Sequence, residues 1–325
     1  MNIVSGVLAP LSWLGRQGTR AIAASLFVGM ALPPLSALAK PILPSTVFLL
    51  LTLAMVRIDV ARLRAVGRHP GRMALMLVWG MVAVPALGGA ALSALGSWFA
   101  MPPALMMAIM LMLVAPPIMS VPAFCYILGL NGALSLVLMV LMLIATPLTA
   151  PLIAGFVLGD ALPLDVWPLA LRLAGYLVGS AVLAAILRRV LGMQRISAHK
   201  DTIDGLNVFI LFLFAVALMD GVAALAWDRP GLALSLIALS FAIAGAITAV
   251  TTLVFLPLGI RDALSFGLTC GNRNMGLMAS ALITGLPHLT WVYFALGQFP
   301  IYLLPQIMRP IVRRLGADRE TASPH

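Results

Sequence analysis

Thr269-Cys270-Gly271-Asn272-Arg273-Asn274-Met275-Gly276 lies inside the apolar stretch Ser265 to Leu286, and its reading decides the fold. The stretch is long enough to cross a bilayer, for which about 20 mostly apolar residues suffice. A charge at mid-membrane depth costs roughly 2.5–3.5 kcal/mol on insertion scales, so an arginine there needs a polar pathway or a partner. Glycine loosens a helix, and asparagine offers side-chain hydrogen bonds that compete with the backbone. The expectation is a helix that opens at residues 271–274 and lines a cavity.

Composition extends this reading to the whole chain. Of 325 residues, 62% are hydrophobic and 9% charged, with a mean hydropathy of +1.10. Soluble domains carry roughly 25% charged residues. Ten transmembrane spans are expected, at about 20–39, 43–57, 73–96, 103–128, 132–159, 165–188, 204–226, 231–257, 262–285 and 288–308. They absorb nearly all of the chain and leave no soluble catalytic domain. An intramembrane enzyme would need a nucleophile with its base, or paired carboxylates, and the pattern offers neither, so a non-enzyme is expected.

The formal net charge of +10 is a topology signal. With both termini cytoplasmic, sixteen of the twenty Lys and Arg residues fall on inner segments. Outer loops hold only Lys40 and Arg229, and Arg172 and Arg273 lie within spans. This positive-inside bias orients a multi-pass protein of a plasma (inner) membrane. The expected partners are the lipid bilayer and a small solute, not nucleic acid. Met1–Gly15 reads as an interfacial helix, not a cleaved leader. Self-association has no sequence signal.

Two halves are expected, 1–159 and 160–325, each with five spans. An odd number of spans forces the halves to insert with opposite orientation, as in inverted-repeat carriers whose sites lie at broken helices near the midplane. The fourth span of each half is interrupted. Pro116, Pro117 and Pro122 fall within seven residues and remove amide donors. Gly271 and Gly276 flank the counterpart in span nine. Irregular backbone is not tolerated in lipid, so the breaks should cross and face each other or water.

The stretch from Ala115 to Ala150, with Tyr126, Ala133-Leu134-Ser135 and Pro147, resembles the bile acid:sodium symporter family, as do Gly271, Asn274, Gly276, Leu277 and Pro85. The resemblance implies a panel domain of spans 1, 2, 6 and 7 and a core domain of spans 3–5 and 8–10. It also implies an organic anion held between them. The positions that correspond to the family's sodium ligands hold Gly80, Val121-Pro122, Ser135, Met139, Thr269 and Arg273, of which only Ser135 keeps the family residue. The chain has one glutamate, Glu320. Sodium is therefore doubtful, no other cofactor is expected, and Arg273 is read as a fixed charge in the ion's place.

On this reading the protein is a secondary transporter of a small or amphipathic organic anion, working by alternating access. Arg273, Asn272, Asn274, Thr269, Met119, Ser120 and Ser135 are the expected substrate contacts. The planar guanidinium can give a carboxylate or sulfonate two hydrogen bonds at once. Asp220 is the candidate for an ion pair with Arg273, or for proton coupling. Arg172 is expected to snorkel or to pair with Asp165 or Asp228. The alternatives are an arsenite- or auxin-type exporter using Cys125 or Cys270, and a sodium-coupled organic-anion symporter. No metal site is expected, because no two histidines have ligand spacing.

Overall fold

The computed structural model describes residues 27–58, 70–159, 165–283 and 285–315. The interfacial-helix reading of Met1–Gly15, the start of the first expected span and the junction at 160 lie outside these residues. Regular structure among the described residues is helical, apart from one isolated antiparallel bridge. In chain order we label the helices α1 (Pro33–Val56, with a 3-10 turn at Lys40–Ile42), α2 (Pro70–Trp98), α3 (Pro103–Val114), α4 (Val121–Ile127), α5 (Gly132–Leu158), α6 (Val166–Leu191) and α7 (Met193–Ala198). The rest are α8 (Lys200–Leu218), α9 (Val222–Asp228), α10 (Pro230–Val254), α11 (Ile260–Gly271), α12 (Met275–Ala281), α13 (His288–Leu296) and α14 (Gln298–Arg314).

Six of these, α1, α2, α5, α6, α8 and α10, are long and apolar enough to cross a membrane. Their outer faces carry large apolar side chains, such as Phe156 at 90% exposure and Leu38 at 77%. That surface suits lipid and would be costly in water. The protein is an all-helical, membrane-embedded chain.

The chain divides into two compact units, one of residues 1–58 and 174–232, the other of 59–173 and 233–325. Within the first unit, Gly179 of α6 lets the Phe48 ring of α1 lie against the helix, since a Cβ there would meet Phe48 at 2.9 Å. Arg188 secures the end of α1 by donating to the carbonyls of Val56 (3.0 Å), Met55 (2.8 Å) and Ile58. A helix C-terminus leaves its last carbonyls without intrahelical amides, and here the Met55 carbonyl also accepts from the Ile58 amide at 3.3 Å.

In the second unit, Gly267 and Gly271 lie one turn apart on α11 and bring its backbone onto α10. A Cβ on Gly271 would meet Thr248 Oγ1 at 2.0 Å and the Ala244 carbonyl at 2.7 Å, and one on Gly267 would meet Thr252 Oγ1 at 2.1 Å. Small residues four apart permit this close approach in membranes, where packing rather than water drives association. At the start of α11, Asp262 pairs with Arg72 of α2 and accepts from Asn131 Nδ2 at 2.8 Å. The Asn131 side chain also caps α5 through the Leu134 amide.

Three expected boundaries need correction. Spans one and two do not part near residue 40: helix runs from Pro33 through Val56, and the non-helical residue is Leu32, ahead of the Pro33-Pro34 pair that starts α1. Proline is suited to the first helical turn, where its missing amide has no partner to lose. Span seven is interrupted, since α8 stops at Leu218 and Gly221, at φ 76°, turns the chain into α9. The last span reaches Arg314, with Gly297 between α13 and α14.

Candidate functional site

The second unit holds two interrupted helices whose breaks meet. Pro116 and Pro117 follow the end of α3 and deny it further amides, so Ala115 becomes extended (φ −63°, ψ 148°). The counterpart ends at Gly271, and Asn272 is extended (φ −99°, ψ 90°). Pro117 and Arg273 form an antiparallel bridge. The Ile118 amide donates to the Asn272 carbonyl at 3.0 Å, and the Asn274 amide donates to the Pro116 carbonyl at 2.7 Å. Each break thus supplies what the other lacks, which satisfies the demand that irregular backbone in a membrane be hydrogen-bonded.

Arg273 sits at this junction with no exposed surface. Its Nη1 donates to the Ala115 carbonyl at 2.9 Å and its Nη2 to the Gly80 carbonyl at 2.9 Å. Both acceptors are orphans for identifiable reasons. Ala115 precedes the two prolines that end α3. Gly80 lies in a π-helical turn, Trp79–Ala83, in which the Val84 amide is taken by the Trp79 carbonyl. The next residue is Pro85, which has no amide to give. The third kind of donor, the Arg273 Nε–H, has no partner among the described residues.

The other expected contacts divide into two groups. Thr269 and Ser135 are fully buried and lie 2.8 Å apart, oxygen to oxygen. The Thr269 hydroxyl donates to the Ser265 carbonyl, so the Ser135 hydroxyl is the donor within the pair. Asn272, 1% exposed, spends its Nδ2 on the Leu268 carbonyl. Asn274 caps α12, its Oδ1 accepting from the Leu277 amide at 3.0 Å, and keeps partial exposure. Met119 and Ser120 form the turn between the breaks and α4, and are also partly exposed. Met119, Ser120 and Asn274 are therefore the members of the set that present surface.

Several expected roles are corrected. Asp220 lies in the turn after α8 and pairs with Lys40 at 2.9 Å. Pro122 does not break a helix but sits in the first turn of α4. Gly271, the last residue of α11, and Gly276, inside α12, lie on either side of the break at 272–274, and Gly271 also serves close packing. Pro116 and Pro117 keep their expected place in the break. Arg172 pairs with neither Asp165 nor Asp228 but donates to the Ala281 carbonyl at the end of α12, at 2.9 Å.

The network of Arg72, Asp262 and Asn131 was not anticipated. Its only sequence signal is an acid, Asp262, beside Arg261 at the edge of an apolar span. Cys125 and Cys270 are free and buried. Among the described residues no group of three His, Cys, Asp or Glu side chains is placed to hold a metal. No protein-family model matches the chain, and no curated protein matches its sequence.

Proposed function

We propose that the protein is a secondary transporter of small or amphipathic organic anions, a divergent relative of the bile acid:sodium symporters in which Arg273 stands in for the coupling cation. The observation that carries this reading is the setting of Arg273: a fixed charge at two crossed helix breaks, held by two orphan backbone carbonyls. Rings of such carbonyls take the place of an ion's hydration shell in cation sites. Here the guanidinium occupies them, and the Ser135 and Thr269 hydroxyls, at two further positions of the resemblance, are spent on each other and on Ser265.

A charge in a medium of effective dielectric about 20 attracts an anion 6 Å away by roughly 3 kcal/mol. Arg273 therefore favours an anionic group near the breaks without releasing either carbonyl, and its Nε, the guanidinium nitrogen with no partner among the described residues, has an N–H to offer one. Met119, Ser120 and Asn274, which keep exposure, supply the nearer contacts. The wider arrangement is part of the proposal: ten spans as two inverted five-helix repeats, both termini cytoplasmic in an inner membrane, and alternating access as the means of transport. The two units, each drawn from two separate stretches of chain, support a panel and core division.

The test is uptake of radiolabelled organic acids into proteoliposomes, with sodium replaced by choline. Uptake that persists without sodium is expected. A steep sodium dependence would overturn the substitution of ion by arginine, and no uptake of any organic anion would overturn the transport reading.

A further inference from the structure

Arg172 lies within a membrane helix, seven residues into the 26 of α6. At 1.5 Å per residue that helix is about 39 Å long, against about 30 Å of hydrocarbon. With α6 centred, Arg172 starts roughly 4–5 Å below the hydrocarbon boundary. The residue is exposed, yet its guanidinium is not free of the protein surface as that of a snorkelling side chain can be. It turns onto the protein, with Nη1 donating to the Ala281 carbonyl.

Among the described residues Arg172 has no other hydrogen-bond or ion-pair partner. One N–H of the five on a guanidinium is thus used, and four are open. An exposed cation with open donors is not tolerated against lipid tails and marks contact with water or with an anion. Ala281 ends α12, and that helix begins two residues after Arg273. Its seven residues rise about 10 Å, so Arg172 stands one short helix away from the crossed breaks. At the breaks themselves, Arg273 is fully buried and has two nitrogens committed to carbonyls, so an arriving anion must first be met elsewhere.

We propose that Arg172 is an anion-receiving residue: its open N–H edge takes the carboxylate or sulfonate of an organic acid on the water-filled approach to the breaks. Use of that anion in transport rests on the function proposed above; the accessibility of Arg172 and its affinity for anions do not. The Ala281 carbonyl fixes one corner of the guanidinium and leaves the opposite edge free for a bidentate contact.

The experiment uses the full-length protein in lipid nanodiscs and two readouts. In the first, the water-soluble arginine reagent p-hydroxyphenylglyoxal is applied and adducts are located by peptide mass spectrometry. Arg172 should be modified and Arg273 should not. Benzenesulfonate should slow the Arg172 adduct, and the neutral benzenesulfonamide should not. In the second, benzenesulfonate should raise the thermal midpoint of the parent. R172Q, which keeps one donor for Ala281, should need about tenfold more of it, the loss of a charged contact, and R172K should fall between. An Arg172 that labels only after denaturation, that is not protected by benzenesulfonate, or whose R172Q variant responds like the parent overturns the inference. Labelling with protection but no uptake in proteoliposomes would sustain it and defeat transport instead.

Discussion

The guanidinium of Arg273 and the carbonyl of Gly80 meet at 2.9 Å across 193 residues of chain. The bond exists because Pro85 cannot serve that carbonyl and the π-turn has diverted Val84. Arg273 is therefore a structural member as well as a charge. Arg273→Met should leave two buried carbonyls unsatisfied, at roughly 1–3 kcal/mol each. A clear fall in the thermal midpoint of purified protein is the expected outcome. Arg273→Lys, which keeps the charge but not the fork, should lose less stability. A Met variant as stable as the parent would mean that the carbonyls find other partners.

Pro85→Ala tests the same relationship from the other side. It returns an amide at the position where the π-turn would place the partner of Gly80, and that amide competes with Arg273. The Pro85→Ala variant should thus depend less on Arg273 than the parent does. In a double-mutant cycle, Arg273→Met should cost less in the Pro85→Ala background than alone, and strictly additive midpoints would refute the coupling.

Gly271→Ala and Gly267→Ala force a Cβ into the backbone and threonines of α10 at 2.0–2.7 Å. Overpacking of this kind costs roughly 1–3 kcal/mol. With backbone among the blocking atoms, we expect the upper part of that range, read as aggregation or a lowered midpoint in fluorescence-detected size exclusion. Gly245→Ala on α10, which meets nothing within 4 Å, is the control and should be neutral or slightly stabilising, because alanine favours helix over glycine.

Asn274→Ala removes the cap of α12 and should cost about 0.5–2 kcal/mol, whereas Asn274→Asp keeps the acceptor and the cap. The two variants separate stability from binding. Asp should restore the midpoint while repelling an anion, so uptake should fall in both variants and stability in one. Cys125→Ser and Cys270→Ser, by contrast, should leave organic-anion uptake intact; loss of uptake in a stably folded serine variant would favour a thiol-dependent carrier.

The breaks were legible because their causes are local. A proline announces its missing amide at 116 and 117, and an arginine amid glycine and asparagine in an apolar run announces a polar pathway. Partnerships were not legible. Lys40 finds Asp220 across 180 residues, and Arg172 finds Ala281 across 109. Those choices depend on which helix ends packing brings together, and an acid near the end of an apolar run looks the same whether it faces the breaks or a turn. The π-turn at Trp79–Ala83 was hidden for another reason. Pro85 marks a disturbance in α2, but one proline is equally consistent with a simple kink. The join of Pro33 to Val56 was missed because Lys40 and Pro41 resemble a loop, while a 3-10 turn carries the helix through them.

The carbonyls of Gly80 and Ala115 leave the ribosome well before the residue that serves them, Arg273 following Ala115 by 158 positions. At 5–20 residues per second, the interval is roughly 8–30 s. Throughout it, the early half of the polypeptide carries two unanswered acceptors, which bare lipid would penalise by several kcal/mol each. Biogenesis must therefore keep that nascent half sheltered, in contact with water or the insertion machinery, until the late-arriving cation closes the assembly.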